Sequence, residues 1–138
     1  MTTLSIDNIK LGDSAGFSRS FSSNDVELFA KLSGDLNPIH LDDIYAKNTI
    51  FGSRIVHGAL TTSIFSSIFA NTLPGSGSIY LKSSFKFIKP IPLNTTVNYF
   101  VKVMEIILAK NKVIFQTDAY IDGTLCITGT AELYISGK

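Results

Sequence analysis

The pattern of hydrophobic and polar positions has a different period in each half of this 138-residue chain. The first half carries apolar residues at helical spacing, whereas the second half alternates apolar and polar residues as half-buried strands do. Residues 1–13 show little periodicity, and we interpret them as a leading arm or turn. Residues 15–21 alternate, which predicts one strand before the helical part begins.

The first predicted helix has Asn24 as its N-cap, and Glu27 three residues later completes a capping box. Gly34 ends this helix because glycine tolerates the left-handed C-terminal conformation. The proline of Asn37-Pro38 then favours extended geometry, so we expect no helix to resume there. The apolar residues predicted to face the core are Val26, Phe29, Ala30 and Leu32.

The longest predicted helix covers residues 57–73 and is apolar around nearly its whole circumference. A helix with so wide an apolar surface should be central and wrapped by other structure. A short helix over about residues 44–47, capped by Asp42 or Asp43, precedes it.

Alternating runs in the second half predict four strands, with Asp122-Gly123 as the favoured two-residue hairpin turn between the last two. The order of elements predicts an α+β fold in which an antiparallel sheet curls around one long helix. The four predicted strands cover residues 79–88, 97–103, 113–121 and 125–133.

Composition bounds the class of protein. A 138-residue chain that is 45% hydrophobic can bury a substantial core, so we expect a single domain over residues 1–138. The net charge is +1 and only two of the twelve basic residues are arginines, which argues against nucleic-acid binding.

Three features of the sequence indicate the cellular compartment of the protein. The most apolar stretch, residues 55–73, contains His57, Asn71 and several hydroxyl residues, and is too polar for a membrane span. The N-terminus lacks the pattern of a secretory signal. The single cysteine, Cys126, is interpreted as a core residue and fits a reducing compartment, so we expect a cytoplasmic protein.

Chemistry is concentrated between residues 35 and 58. Asp35 and His40 lie five residues apart on a bend, and a carboxylate facing an imidazole can hold and deprotonate a water molecule. Asn37, between them, offers a donor and an acceptor to orient that water. Gly58 begins the long helix, where unpaired backbone N–H groups can bind a carbonyl oxygen that becomes negative.

Simpler roles for these residues stay open at this point. Asp35 and Asn37 can instead hydrogen-bond the loop backbone, and His57 can pack against or cap the long helix. Asp35, His40, Asp42 and His57 are metal-ligating residue types. They show no tight ligand spacing such as His-Glu-x-x-His, so we predict that no metal is bound.

Residues 33–42, with the sequence SGDLNPIHLD, and residues 55–58, with the sequence IVHG, closely resemble the hydratase-2 motif of the MaoC-like family. The similarity extends over the whole chain. The family includes (R)-specific enoyl-CoA hydratases that feed polyhydroxyalkanoate synthesis. Its members adopt the hot-dog fold, a long helix wrapped by an antiparallel sheet, usually as dimers.

The resemblance implies a role for each matching residue. Asp35 and His40 would be the catalytic pair, Asn37 would position water, and the N–H of Gly58 would bind the thioester oxygen. Ser66 would support the catalytic segment from the long helix. Candidate walls of an acyl tunnel, which are equally consistent with ordinary core residues, are Phe51, Phe65 and Phe69.

The implied activity is the reversible hydration of trans-2-enoyl-CoA to (R)-3-hydroxyacyl-CoA by a homodimer, with no cofactor beyond the CoA of the substrate. A dehydratase acting on acyl-carrier-protein thioesters, a thioesterase and a non-catalytic acyl-thioester-binding subunit remain alternatives. The basic residues expected to meet CoA phosphates or an acidic carrier are Arg54, Lys82, Lys86 and Lys89.

Overall fold

The computed structural model describes residues 5–136, which form one five-stranded antiparallel sheet with four α-helices. The strands are β1 (Ser14–Arg19), β2 (Ile79–Phe87), β3 (Val97–Ile107), β4 (Lys112–Ile121) and β5 (Thr124–Tyr134). The helices are α1 (Ser23–Ser33), α2 (Pro38–Leu41), α3 (Asp43–Lys47) and α4 (Gly58–Asn71). Short 3-10 helices occupy Ile6–Asn8 and Leu108–Lys110.

The strands are ordered β1-β3-β4-β5-β2 across the sheet. β3, β4 and β5 form the predicted meander, and Asp122 and Gly123 both have positive φ (46° and 78°), as a two-residue hairpin turn requires. β2 crosses over to pair with β5 at the opposite edge from β1. Gly129 of β5 permits this pairing, because any side chain there would overlap the backbone of Ser84.

One face of α4 packs against the sheet and supplies much of the core. The Phe65 ring lies 5.2 Å from the ring of Tyr99, and the Phe69 ring lies 4.8 Å from that of Phe115. Burying each such ring removes apolar surface worth roughly 1.5–3 kcal/mol. The other face, which includes Ala59, Ser63, Ser66 and Ala70, is exposed. The prediction of a long helix packed against an antiparallel sheet is confirmed, and this one sheet covers only the face of α4 that is turned towards it.

The leading segment is more closely attached than an arm. Residues 1–4 lie outside the described part of the chain, but Ile6 and Ile9 are buried in the core. Cys126 is buried with a free thiol, in agreement with its interpretation as a core residue.

Helix α1 begins two residues earlier than predicted. Its N-cap is Ser22, whose hydroxyl accepts the Asp25 N–H while the Asp25 carboxylate accepts the Ser22 N–H, so this pair forms the capping box. Gly34 ends the helix with φ of 81°, as expected. Leu32 is exposed, because it follows buried Ala30 by two residues and so points about 200° around the helix.

Pro38 starts a helix rather than preventing one. It occupies the first position of α2, where its missing N–H would be unpaired in any case, and Asn37 caps this helix by accepting the Ile39 N–H. His40 therefore lies on a short helix and not on an extended segment. Asp42 caps α3, as predicted, by accepting the N–H groups of Ile44 and Tyr45.

Within residues 5–136, the structure contains no helix that is both long enough and apolar enough to cross a membrane.

Candidate active site

His40 is held at both its ring and its backbone by residues 54–55. Its Nδ1 lies 2.8 Å from the carbonyl oxygen of Ile55, and because a carbonyl only accepts, Nδ1 carries the hydrogen. The Arg54 Nε–H donates to the carbonyl oxygen of His40 at 2.7 Å. The ring is buried, and Nε2 is left as the nitrogen that can exchange a proton.

The carboxylate of Asp35 lies beside two imidazoles. A carboxylate oxygen of Asp35, a ring nitrogen of His40 and a ring nitrogen of His57 all lie within 4.8 Å of one another. Two hydrogen bonds of about 2.8 Å to one bridging water would span such a distance. Asp35 also accepts the Asn37 N–H at 3.2 Å, so the loop hydrogen bond considered above is present as well. It does not keep the carboxylate away from the imidazoles.

His57 packs beneath His40 and secures Asp35. The two imidazole rings stack with centroids 3.9 Å apart, and Phe29 meets His57 edge-on at 4.9 Å. The Nε2–H of His57 donates to the backbone carbonyl of Asp35 at 3.1 Å. Burial lowers the pKa of His57 and outweighs the hydrogen bond to the Asp35 carbonyl, which raises it, while the neighbouring His40 lowers it further. The ring is therefore neutral at pH 7. His57 thus packs, as predicted, although its side chain makes no cap hydrogen bond.

A cavity of about 300 Å³ opens beside His40 and the start of α4. Gly58 is the first residue of that helix, so its N–H has no partner within the helix. A Cβ at this position would lie 3.0 Å from the ring of the half-exposed Phe87, so an alanine would fit only if that ring moved by a few tenths of an ångström. Phe51 lines the cavity, whereas Asp35 does not. Most of the remaining wall is apolar and comes from Ile55, Val56, Ile88, Pro90, Ile91 and Ile127.

Other predicted site residues lie elsewhere. Phe65 and Phe69 are fully buried in the core between α4 and the sheet and do not line this cavity. Ser66 lies on the exposed face of α4, about 12 Å along the helix from Gly58, and no hydrogen bond in residues 5–136 joins it to the Asp35–His40 segment. The side-chain oxygen of Asn37 caps α2 by accepting the Ile39 N–H, and its NH2 group remains available to donate to water. The tunnel, support and water-positioning roles stay predictions.

The same three groups could in principle hold a metal ion. Imidazole lone pairs lie in the ring plane, and the planes of His40 and His57 differ by only 27°. Stacked rings therefore direct their lone pairs side by side rather than towards one point. The geometry therefore favours hydrogen bonding between the imidazoles and Asp35 over metal binding. The absence of a metal stays a prediction.

Arg54 does not serve as a surface cation. Its side chain is only 11% exposed, and its Nη1 donates to the Ser23 hydroxyl while its Nε binds His40. The expectation that it meets CoA phosphates is wrong, because its donors point into the protein. Lys89 lines the cavity and keeps that role open, whereas Lys82 lies 3.7 Å from Glu132 on the sheet.

The lowered pKa of His57 predicts a specific pH dependence of stability. As pH falls below the unfolded value of 6.5, the unfolded chain binds a proton that the folded chain does not, so the free energy of unfolding decreases. His57→Gln removes this group but keeps an N–H for the Asp35 carbonyl. We expect urea unfolding at about pH 7.5 and about pH 5.5 to show a smaller loss of stability in the variant than in the native chain. Equal losses would contradict a buried, neutral His57.

Comparisons with known proteins agree with this geometry. The model of the MaoC like domain family matches residues 9–123. An (R)-specific enoyl-CoA hydratase of Rhodospirillum rubrum is 36% identical over 96% of this chain and 92% of its own. The solved structure of an (R)-hydratase from A. caviae involved in PHA biosynthesis superposes with a TM-score of 0.90, at 36% identity, over 93% of this chain and 98% of its own. The unliganded R-hydratase PhaJ1 of Pseudomonas aeruginosa gives a TM-score of 0.92, at 34% identity, over 99% and 88%. The chain has the hot-dog fold and belongs to the MaoC-like family.

Proposed function

We propose that this chain hydrates trans-2-enoyl-CoA reversibly to (R)-3-hydroxyacyl-CoA. The observation that carries the proposal is the placement of the Asp35 carboxylate within 4.8 Å of an imidazole nitrogen of His40, which itself lines a largely apolar cavity. A base and an acid at that distance can share one water molecule and act on it together. The named activity of the R. rubrum relative supports the same reaction and the same class of substrate.

The proposed proton transfers balance with water, the substrate and the side chains of Asp35 and His40 alone. Asp35 accepts a proton from water as the water oxygen bonds to C3 and the electrons of the double bond shift towards the thioester carbonyl. Asp35 then passes this proton to Nε2 of His40, whose Nδ1 already carries a hydrogen, and Nε2 gives it to C2. Both groups return to their starting states, so one water is added in each cycle.

Negative charge develops on the thioester oxygen between these two proton transfers. The N–H of Gly58 at the first turn of α4 can donate to that oxygen, and the positive end of the helix dipole favours the charge. The apolar wall that includes Phe51 suits the acyl chain. No cofactor is needed, because CoA enters as part of the substrate.

The carrier of the acyl group is the main alternative. A dehydratase acting on acyl-carrier-protein thioesters would use the same residues, because dehydration is the reverse step. Lys89, which lines the cavity, is the positively charged residue that either CoA phosphates or an acidic carrier would meet. We propose CoA, and a comparison of rates on crotonyl-CoA and its carrier-bound counterpart separates the two. Because (R)-3-hydroxyacyl-CoA is the proposed product, we also propose polyhydroxyalkanoate synthesis in the cytoplasm as its use.

We also propose that two copies pair through β2. This nine-residue strand forms one edge of the sheet, and its side chains are exposed along almost its whole length. Long edges with apolar side chains require a cover, and antiparallel pairing with a second copy would provide one. The exposed apolar side chains on this strand include Ile79, Leu81 and Phe87, and the last of these also lines the cavity.

Asp35→Asn and His40→Gln should each lose about 10²–10⁴-fold in the rate of crotonyl-CoA hydration, the usual contribution of a positioned base or acid. Loss of the enoyl thioester absorbance measures the rate, and circular dichroism checks that both variants fold. Asp122→Asn is the matched control, because it makes the same chemical change in a hairpin turn whose positive φ suits asparagine.

Near-native turnover in either variant would refute the catalytic pair. Release of free CoA would instead indicate a thioesterase, and binding of crotonyl-CoA without any absorbance change would indicate a non-catalytic subunit.

Pairing of two copies predicts a solution mass of twice 15.0 kDa. Light scattering on the native chain during gel filtration measures this directly. A mass equal to a single chain at micromolar concentration would contradict the proposed dimer.

A further inference from the structure

We propose that Arg54 is a positioning residue for the reaction, because its guanidinium fixes the backbone of His40 and thereby the direction of the imidazole. The inference rests on the proposed function, since it assigns Arg54 a part in the same step. It differs from the sequence-based expectation, in which Arg54 met the substrate from the surface.

The contact with His40 is short and sheltered. The Arg54 Nε–H donates to the carbonyl oxygen of His40 at 2.7 Å, the shortest hydrogen bond between residues 54–57 and residues 35–40. The side chain is 11% exposed, so water competes little for this bond. Arg54 does not line the cavity, so any effect on the reaction passes through His40.

The far end of the guanidinium is anchored on α1. Its Nη1 donates to the Ser23 hydroxyl at 3.0 Å, and that hydroxyl donates in turn to the Glu27 carboxylate at 2.8 Å. Asp43 lies 3.8 Å from Nη1 but is 86% exposed, so this ion pair contributes little. The planar fork thus joins α1 to the backbone of His40 with fixed geometry, which a flexible lysine does not reproduce.

The imidazole ring of His40 is oriented by Ile55, the residue that follows Arg54 in the chain. The carbonyl of Ile55 accepts the Nδ1–H of His40, so consecutive residues hold the backbone and the ring of one histidine. If the Arg54 contact is lost, α2 can shift relative to Ile55, and the Nδ1 hydrogen bond lengthens. A displacement of about 1 Å at a reacting group can cost about a hundredfold in rate.

Burying the guanidinium of Arg54 costs free energy, and this cost supports a positioning role rather than simple space filling. Its Nη2 is buried and has no hydrogen-bond partner within residues 5–136. A buried N–H without a partner is unfavourable, and methionine would fill similar space without one. Simple space filling therefore does not account for arginine at this position, whereas a fixed contact to His40 does.

The experiment compares Arg54→Met and Arg54→Lys with Arg19→Met. Arg19 is the other arginine of the chain; it lies on β1 beside Asp25 and over the ring of Phe21, and it does not line the cavity. We expect Arg19→Met to keep native kcat on crotonyl-CoA and Arg54→Met to lose about tenfold to a hundredfold in kcat with little change in KM. Arg54→Lys should fall between them, because it restores one donor but not the fork.

A second readout does not depend on activity. The chain has two histidines, so ¹⁵N chemical shifts of the imidazoles report each tautomer separately. We expect His40 to carry its hydrogen on Nδ1 in the native chain and in Arg19→Met, and to become a mixture of tautomers in Arg54→Met. A purely structural role would lower the melting temperature without this change.

Native kcat and an unchanged His40 tautomer in folded Arg54→Met would overturn the proposal. If Arg54→Met does not fold, Arg54→Lys decides: reduced kcat at a native-like melting temperature supports the role, and native kcat refutes it. If the native chain itself does not hydrate crotonyl-CoA, the proposed function fails, while the tautomer measurement still decides whether Arg54 orients His40.

Discussion

The site depends on hydrogen bonds from side chains to backbone carbonyls across two segments that are distant in sequence. Arg54 binds the carbonyl of His40, His40 binds that of Ile55, and His57 binds that of Asp35. Because carbonyls only accept, these bonds define which nitrogen of each imidazole carries a hydrogen. They leave one nitrogen of His40 available for proton transfer and keep His57 as a neutral support beneath it.

The fold contributes the fixed frame for these bonds. The N–H of Val56 donates to the carbonyl of Ile91, and Ile55 bridges to Pro92, so residues 54–57 are attached to the chain that follows β2. The same segment leads directly into α4, whose first residue provides the proposed oxyanion donor. β2 places Phe87 over that residue and closes the cavity on one side. Displacement of the sheet edge would therefore change both the cavity wall and the surroundings of the Gly58 N–H.

Local patterns predicted what local contacts determine. The five strands, the hairpin at residues 122–123, the end of α1 at Gly34 and the cap of α3 at Asp42 all follow from short-range rules. The pairing of Asp35 with His40 was also suggested locally, by two reactive groups on one bend. The prediction that Pro38 prevents a helix was wrong, because proline disfavours helix at the residue before it but suits the first position of a new helix.

Long-range contacts were not predictable in this way. Arg54 and His57 act on residues 14 and 22 positions away, and neither periodicity nor composition indicates such partners. A buried arginine is unusual, so its charge suggested a surface role that the structure does not support. The exposed face of α4 was missed for a related reason, since apolar content alone does not show how much of a helix one sheet covers.

The most direct test of the central claim follows crotonyl-CoA in D₂O with the native enzyme. Water activated by Asp35 and a proton delivered by His40 should give (R)-3-hydroxybutyryl-CoA with one deuterium at C2, as seen by chiral chromatography and mass spectrometry. The (S) product, a product without deuterium at C2, or free CoA and crotonate would contradict the account.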